Sequence, residues 1–232
     1  MRRAPVPGCS RFFINININI DMYGHQHMDH VFLYGFHYIP HPQIKMPTTL
    51  TTSPISKTLK QTQESQICSV SAGCFWGVEH LYNKHFKNRI QDTKVGYANG
   101  HTIAPSYKQV CSNTTSHAET VQISFNPSVV TYKELVEFFF LMHDPTTLNE
   151  QGEDQGTQYR SAIFVHDDEQ MRVVMDEVLP QTQKQWYPNH KIVTVVEPIQ
   201  SFWDAEEYHQ KYLVNNEEQL CATHFIRTAP KV

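Results

Sequence analysis

The chain has 232 residues, a net charge of −4 at pH 7 and 18% charged residues, which suits one domain with an appendage or two small domains. This mild negative charge excludes a general electrostatic role at nucleic acid or at a membrane surface, and no apolar run approaches the roughly 20 residues of a membrane span. Five cysteines, an odd number in a chain of this length, do not predict a disulfide framework, so we expect a reducing compartment in which any disulfide is transient and catalytic.

Residues 1–63 differ in composition from the rest of the chain. They contain a strict Ile/Asn alternation over residues 14–20, a loose histidine cluster and a stretch rich in Thr, Ser and Pro over residues 47–54. None of this has the varied apolar content of a core. We therefore predict a disordered, low-complexity extension over residues 1–63 and a folded domain over residues 64–232. The histidines lack accompanying cysteine or acidic ligands at ordinary spacing, so we expect no metal site there.

Two explanations of this extension stay open. Three arginines and no acidic residue before Asp21 resemble an organelle-targeting presequence, which would make the protein mitochondrial if residues 1–45 are translated and act in this way. A repeat of period two is not an amphipathic helix, however, and we favour Met46 as the true start together with a cytoplasmic location. Recovery of peptides from residues 1–45 of the native protein would contradict that preference.

Strands and helices alternate after the extension. Runs rich in Val, Ile and Phe predict strands over residues 67–72, 93–98, 119–125, 161–165 and 191–196. Helices are predicted to begin at Cys74, Tyr132, Asp168 and about Asp204, with N-terminal capping boxes at Thr131/Glu134 and Asp167/Gln170 and with Pro180 ending or kinking the third helix. Two long irregular stretches, residues 99–118 and 143–160, are expected to be functional loops. The pattern predicts an α+β fold in which helices pack on a mixed β-sheet.

The junction of the first strand and the first helix carries the pentapeptide Gly-Cys-Phe-Trp-Gly at residues 73–77. Cys74 is therefore expected at a helix N-terminus, where unpaired N–H groups and the helix dipole stabilise a thiolate. A thiolate is the nucleophilic form, and Phe75 and Trp76 would supply an aromatic wall beside it. The alternative is a buried structural cysteine, because free cysteine is among the most buried residue types.

This pentapeptide resembles the signature of the peptide methionine sulfoxide reductase A family. The resemblance continues in the family's order through residues 95–100, 105–107, 117–119, 143–146, 151–161 and 204–210, and it covers about residues 65–225. Residues 53–60 are similar to the N-terminal region of fungal members. The resemblance implies a ferredoxin-like α/β sandwich. It also implies thiol-dependent reduction of methionine S-sulfoxide, protein-bound and free, in protein repair and oxidative stress defence.

The resemblance also implies the site residues. Cys74 is the nucleophile, and Phe75 and Trp76 form the pocket for the substrate methyl group. The residues that bind the sulfoxide oxygen are Tyr107, Glu119 and Tyr159. Asp154 matches a second acidic position of the family and makes a polar contact in the site. Tyrosines are protonated at neutral pH, whereas a glutamic acid can donate a proton only if burial raises its pKa.

Attack would leave Cys74 as a sulfenic acid, which condenses readily with a second thiol. By the resemblance this thiol is Cys221, and thioredoxin, or dithiothreitol in vitro, reduces the disulfide without any other cofactor. Cys68 and Cys111 fit buried structural roles. No glycine follows Gly156 in this chain, a departure from the family that predicts slower recycling or the use of another thiol. The family implies a monomer whose partners are methionine-sulfoxide-containing proteins, free methionine sulfoxide and thioredoxin, with no nucleic acid and no membrane.

Other functions remain open from the residues alone. A hydrolase or acyltransferase using a Cys74–His117 pair would show acyl-enzyme burst kinetics. A thiol peroxidase would consume peroxide, and a redox-sensing or sulfoxide-binding module would bind without turnover. The chain has no Cys-x-x-Cys motif, which disfavours a disulfide oxidoreductase and a zinc site.

Overall fold

The computed structural model describes residues 53–216, 218–219 and 223–231. The strands are β1 Gln66–Ala72, β2 Ile90–Ala98, β3 Ala118–Phe125, β4 Glu150–Gln151, β5 Asp154–Gln155, β6 Ser161–Val165, β7 Val195–Pro198 and β8 Phe202–Asp204. The α-helices are α1 Phe75–His85, α2 Tyr107–Cys111, α3 Tyr132–Met142, α4 Asp168–Arg172, α5 Leu179–Trp186 and α6 Tyr212–Asn215. A π-helical stretch, Val173–Val178, joins α4 to α5, and 3₁₀ turns cover Thr157–Tyr159 and Glu207–His209.

Six of the strands form one sheet in the order β7-β6-β1-β3-β2-β8, and β4 pairs with β5 in a separate hairpin. The β6–β7 pair is parallel, and the other pairs of the large sheet are antiparallel. The four central strands and helices α1 and α3 follow the chain order β-α-β-β-α-β, the split arrangement of ferredoxin-like folds. The α+β fold with a mixed sheet and packed helices is therefore confirmed.

The hydrophobic core lies between this sheet and helices α1 and α3. Val121 and Ile123 of β3 pack with Val78 of α1 and Leu135 of α3, and all four side chains are fully buried. The Tyr82 hydroxyl donates to the Leu135 carbonyl over 2.8 Å, which ties the two helices together. This packing holds the N-terminus of α1 at the end of β1, where the expected nucleophile lies.

Residues 53–63, which the sequence assigned to the extension, lie against the opposite face of the sheet. The Ser56 N–H donates to Gln122 Oε1 over 2.8 Å, and Gln122 Nε2 donates to the Pro54 carbonyl over 2.8 Å. The Lys60 N–H donates to Asp92 Oδ2 over 3.0 Å, and Leu59 is buried. In these contacts, backbone groups of the segment bond to side chains that lie far along the chain. Such contacts leave no periodic apolar pattern in the sequence, so they could not be predicted from it. The rest of the predicted extension, residues 1–52, lies outside the described residues.

Several predicted elements are confirmed, and others need correction. Strands β1, β3 and β6 and helices α1 and α3 lie where the sequence placed them. The capping box of Thr131 and Glu134 is present, whereas Asp167 caps α4 but the Gln170 side chain bonds elsewhere. Pro180 does not end the helical stretch. It lies inside a continuous helical stretch, two residues after the π-helical segment Val173–Val178, and this local change of the helical hydrogen-bond pattern accompanies the missing N–H.

The C-terminal part differs most from the prediction. The helix expected at about Asp204 is wrong, because residues 202–204 form β8, which pairs with the outer edge of β2. The strand predicted over residues 191–196 is formed by residues 195–198 instead. Helix α2 was not predicted at all. Within the described residues, no helix is long and apolar enough to cross a membrane.

Candidate active site

Cys74 is the N-cap residue of α1, as the sequence predicts. Its carbonyl accepts the Gly77 N–H over 3.2 Å, and no acidic side chain lies in the first helical turn. The thiol is partly exposed at the positive end of the helix, which favours a thiolate. Cys68 is the contrasting case, because complete burial raises the pKa of its thiol well above the usual range.

Gly73, directly before the cysteine, is required by its surroundings. Its φ of +89° lies in the region that favours glycine, and a Cβ there would be 2.6 Å from Cβ of Gln151. Gln151 belongs to the β4–β5 hairpin, so the absence of a side chain at Gly73 lets this hairpin approach the nucleophile. The close approach of Gln151 therefore explains why the pentapeptide at residues 73–77 begins with glycine in this chain.

Phe75 and Trp76 form an aromatic wall after the nucleophile. Phe75 is 1% exposed and its ring centroid lies 6.0 Å from that of Tyr97. Trp76 is half-buried and stacks on Tyr212, with centroids 3.8 Å apart and an interplanar angle of 11°. Trp76 Nε1 donates to His209 Nδ1 over 3.2 Å. The aromatic wall predicted from the sequence is therefore supported by His209 of the 3₁₀ turn Glu207–His209 and by Tyr212 of α6.

Glu119 lies near the start of β3 and is 2% exposed. Its Oε2 accepts the Phe75 N–H over 3.1 Å. That N–H is one of the first groups of α1 and has no partner within the helix. The contact places the carboxyl group at the same helix end as Cys74, so the structure brings these two predicted residues together.

Tyr107 opens α2, whose N-cap Ser106 and Gln109 form a complete capping box. Its N–H donates to Glu206 Oε1 over 2.9 Å. Burial, with Glu119 and the two cysteines of this region nearby, raises the pKa of Tyr107 well above its usual range. The phenol therefore stays protonated as a donor. Cys111 is only half-buried, so its predicted buried structural role needs correction.

The two long loops that the sequence singled out meet at this site. Thr157 N–H donates over 3.0 Å to Oδ1 of Asn113, which follows α2. Asp154, half-buried, pairs with Gln151 in the hairpin beside Gly73, and Tyr159 is 7% exposed in the following 3₁₀ turn. The fold thus brings the loop that carries both residues over the N-terminus of α1.

His117 is bound to a loop and not to the thiol. Its Nδ1 accepts the Gly100 N–H over 3.1 Å, which leaves the proton on Nε2, and Nε2 lies 2.8 Å from the Thr102 carbonyl oxygen. Burial lowers the pKa of this histidine, so the ring is neutral at physiological pH. With both nitrogens occupied, His117 cannot serve as the base that a Cys74–His117 hydrolase requires.

A model of the family "peptide methionine sulfoxide reductase" matches residues 66–232. The chain belongs to this family. A peptide methionine sulfoxide reductase of Saccharomyces cerevisiae is 47% identical over 186 residues, which cover 76% of this chain and 98% of the yeast protein. A crystal structure of Mxr1 from Saccharomyces cerevisiae in reduced form superposes with a TM-score of 0.71 at 47% identity, covering 75% of this chain and 99% of that one. A structure of Mxr1 in complex with Trx2 gives a TM-score of 0.54 at 38% identity, covering 75% and 99%.

Cys221, the second cysteine expected in a reductase of this family, lies outside the described residues. The structure does describe residues that follow it. Gln151 Nε2 donates to the Thr223 carbonyl over 2.9 Å, and His224 Nε2 lies 2.6 Å from the Ala72 carbonyl oxygen. Thr223 and His224, which follow Cys221, are therefore bound beside Gly73. Within the described residues, no group of three or more His, Cys, Asp or Glu side chains could hold a metal ion, and the histidines of the extension lie outside that part.

Sequence reasoning missed two groups of residues around the reductase site. Glu206, His209 and Tyr212 contact Trp76 or Tyr107. Gln151 and His224 hold the C-terminal segment beside Gly73. Glu206 and His209 belong to the family segment at residues 204–210, and this segment was the available signal. None of its side chains was given a role, because a predicted helix at about Asp204 offered no reason for them to face the nucleophile.

Proposed function

We propose that this chain reduces the S epimer of methionine sulfoxide, in proteins and as the free amino acid, with Cys74 as nucleophile. One observation carries the proposal. The N-cap thiol of α1 and the buried carboxyl of Glu119 lie at the same helix end, because Glu119 binds the N–H of the residue after Cys74. A nucleophile and an acid are the two groups that sulfoxide reduction needs side by side.

The surrounding residues fit the two ends of a methyl sulfoxide. Phe75 and Trp76 offer an apolar surface to the methyl group. The sulfoxide oxygen is a strong acceptor, and we assign its donors as Tyr107, Glu119 and Tyr159. Tyr107 supports this assignment because it is buried and stays protonated. Asp154 is assigned as the second acidic contact of the pocket.

The proposed chemistry conserves atoms and electrons. The Cys74 thiolate attacks the sulfoxide sulfur, a proton reaches the oxygen, and that oxygen passes to Cys74 as a sulfenic acid while methionine leaves as the thioether. The Cys221 thiol then attacks the sulfenic sulfur, releasing water and forming a Cys74–Cys221 disulfide. Two electrons from a dithiol reductant restore both thiols.

Thioredoxin is proposed as that reductant, and no resident cofactor is required. The complex of the relative Mxr1 with Trx2 supports this partner. Cys221 as the second thiol is supported by the anchoring of Thr223 and His224 beside Ala72 and Gly73. We further propose that the chain acts as a monomer, as its family resemblance implies.

Turnover of methionine S-sulfoxide and R-sulfoxide with dithiothreitol tests the proposal, comparing the native protein with Cys74→Ser. Activity on the S epimer alone, abolished by Cys74→Ser and retained by the control Cys68→Ala, is expected. Folded protein with an alkylatable Cys74 thiol and no activity on either epimer would overturn the proposal. Cys221→Ser separates the recycling step. It should retain turnover with dithiothreitol, which reduces a sulfenic acid directly, and lose turnover with thioredoxin.

A further inference from the structure

His209 is a buried imidazole surrounded by aromatic rings that line or support the sulfoxide pocket. It is 1% exposed. Its ring centroid lies 5.2 Å from Phe75, 5.5 Å from Trp76, 4.6 Å from Tyr107 and 4.2 Å from Tyr208. One side chain thus contacts the residues assigned to the substrate methyl group and a residue assigned to the substrate oxygen.

The hydrogen bonds of this imidazole fix its tautomer. Trp76 Nε1 can only donate, so His209 Nδ1, 3.2 Å away, must accept and carries no proton. Burial lowers the pKa of His209 to about 4, which keeps the ring neutral at physiological pH with its proton on Nε2. Among the described residues Nε2 has no hydrogen-bond partner, and Oε2 of Glu206 lies 3.8 Å away.

Glu206 connects the imidazole to the other wall of the pocket. Its Oε2 also accepts the Tyr97 hydroxyl over 2.8 Å, and its Oε1 accepts the Tyr107 N–H over 2.9 Å. Hydrogen bonds, chiefly from the Tyr107 backbone, outweigh burial and lower the pKa of Glu206, so the group is a carboxylate. Two hydrogen-bonded groups therefore lie side by side behind the pocket, Trp76 with His209 and Glu206 with Tyr97 and Tyr107, and 3.8 Å separates His209 Nε2 from Glu206 Oε2.

We propose that His209 is a positioning residue of the sulfoxide pocket, which holds the Trp76 indole by accepting its N–H and holds the Tyr107 ring by packing on it. The proposal rests on the roles of Trp76 and Tyr107 given above. An indole that loses this acceptor leaves a half-buried N–H without its protein partner, and its orientation beside the methyl group then depends on stacking against Tyr212. Small displacements of groups that orient a substrate are costly in rate.

Two substitutions of His209 separate the effect of its hydrogen-bond acceptor from the effect of its size. His209→Leu keeps an apolar side chain of similar size but removes the acceptor. His209→Asn is smaller but places an amide oxygen near the position of Nδ1. We expect kcat/KM for methionine S-sulfoxide with dithiothreitol to fall about tenfold in His209→Leu, as the loss of one hydrogen bond of ordinary strength predicts. His209→Asn should stay within about threefold of the native protein because it keeps that bond.

The indole N–H resonance of Trp76 supplies a readout that general destabilisation would not move. It is assigned in the ¹H–¹⁵N spectrum by its loss in Trp76→Phe. It should shift upfield and exchange faster with water in His209→Leu, and stay near its native position in His209→Asn. If His209→Leu does not fold, His209→Gln replaces it, because its amide reaches the Nε2 position and leaves Trp76 without an acceptor.

His166→Leu is the matched control. His166 is another histidine whose pKa burial lowers to about 4, but its Nε2 contacts Ser69 Oγ on the face of the sheet away from α1. This control and all His209 variants should keep the native rate of Cys74 alkylation by iodoacetamide. Native kcat/KM in His209→Leu, or a shifted Trp76 resonance without any loss of kcat/KM, would overturn the proposal. If Trp76→Leu itself leaves kcat/KM unchanged, the assignment of Trp76 to the pocket fails instead.

Discussion

Glu119 is a buried acid that also completes the hydrogen bonding of a helix terminus. The proposed acid role can be separated from this hydrogen bond with Glu119→Gln, which keeps an acceptor for the Phe75 N–H but cannot supply an acidic proton. Because the sulfoxide oxygen must be protonated as it leaves sulfur, we expect kcat/KM to fall roughly 100-fold or more, within the range for loss of a general acid. Steady-state reduction of methionine S-sulfoxide with dithiothreitol measures the effect.

The control for this prediction is Glu64→Gln, since Glu64 is exposed and bonds only to Asn126 among the described contacts. The midpoint of urea unfolding should change little in either variant, because glutamine is similar in shape to glutamate. A Glu119→Gln protein with native kcat/KM would show that the acid is supplied by another group, such as Tyr107.

The buried carboxyl group of Glu79 predicts how the stability of the protein depends on pH. It is buried in α1, where its oxygens accept from Thr93 Oγ1 over 2.9 Å and from the Lys211 N–H over 2.8 Å. Burial outweighs these bonds and raises the pKa of Glu79 from 4.5 to about 7. Between these two values the unfolded chain releases a proton that the folded protein keeps. The free energy of unfolding should therefore fall as pH rises from about 4.5 to 7, by on the order of 3 kcal/mol, and level off above 7.

Glu79→Gln removes this titration, because an amide does not ionise. The variant should gain stability relative to the native protein as pH rises from 5 to 7.5, which urea unfolding at the two pH values measures. The same comparison on Glu137→Gln, a half-exposed residue of α3, should show no such relative gain. Stability curves of Glu79→Gln and the native protein that stay parallel over this range would contradict the prediction.

At the scale of single residues, sequence reasoning predicts the groups that we assign to the reaction and misses those that hold them in place. Cys74, Phe75 and Trp76 are contiguous and carry their chemistry in their identities. His209 and Glu206 act only through contacts with Trp76 and Tyr107, which lie far away along the chain. A buried, neutral histidine has no sequence pattern of its own, so its importance is visible only when its neighbours in space are known.

Local capping is the element-scale feature that the sequence predicts best. In α3, Thr131 Oγ1 accepts the Glu134 N–H over 3.2 Å, and the Glu134 carboxylate accepts the Thr131 N–H over 2.9 Å. Thr131→Ala should reduce the free energy of unfolding by about 1 kcal/mol, because an orphan N–H of the helix loses its partner. Urea unfolding measures the loss. Thr131→Ser keeps the hydroxyl and should recover most of it, and equal losses in both variants would contradict the capping argument.

Elements that depend on distant partners were the ones predicted wrongly. The run at residues 202–204 becomes β8 because the edge of β2 offers unpaired backbone groups, and Gly96 leaves room for the ring of Phe202. Helix α2 has one and a half turns, too short for an apolar period to show. Thr131 and Glu134, by contrast, are neighbours in sequence, and their pairing needs nothing from the rest of the fold.

At the scale of the whole molecule, the fold gathers the candidate site from five separate parts of the chain, residues 73–76, 107–119, 151–159, 206–212 and 223–224. The sequence motifs fixed their order but gave no distances between them. The C-terminal segment shows this best, because it returns to the start of α1. His224 contacts the Ala72 carbonyl, Arg227 Nε donates to the Tyr187 hydroxyl over 3.1 Å, and Lys231 Nζ lies 2.6 Å from Asp144 Oδ2. The segment after Cys221 is thus held at several points on the body of the protein.

We propose that this anchoring offsets the lack of glycine after Gly156, from which slower recycling or the use of another thiol is predicted. A segment tethered beside its target needs less freedom to reach it, because the tether raises the effective concentration of the second thiol. His224→Ala removes the contact with Ala72 and should slow formation of the Cys74–Cys221 disulfide by about tenfold, while the first release of methionine keeps its native rate. Acid quenching after one equivalent of sulfoxide, followed by alkylation and mass measurement, follows both steps.

His190→Ala is the control for that experiment, since His190 lies in the turn after α5 and its N–H bonds to the Tyr187 carbonyl. It should leave both steps at their native rates. A His224→Ala protein that forms the disulfide as fast as the native protein would show that the hydrogen bond to Ala72 does not guide the second thiol. A His224→Ala protein in which methionine release also slows would instead place His224 in the pocket itself, because only the first step depends on the groups around the sulfoxide.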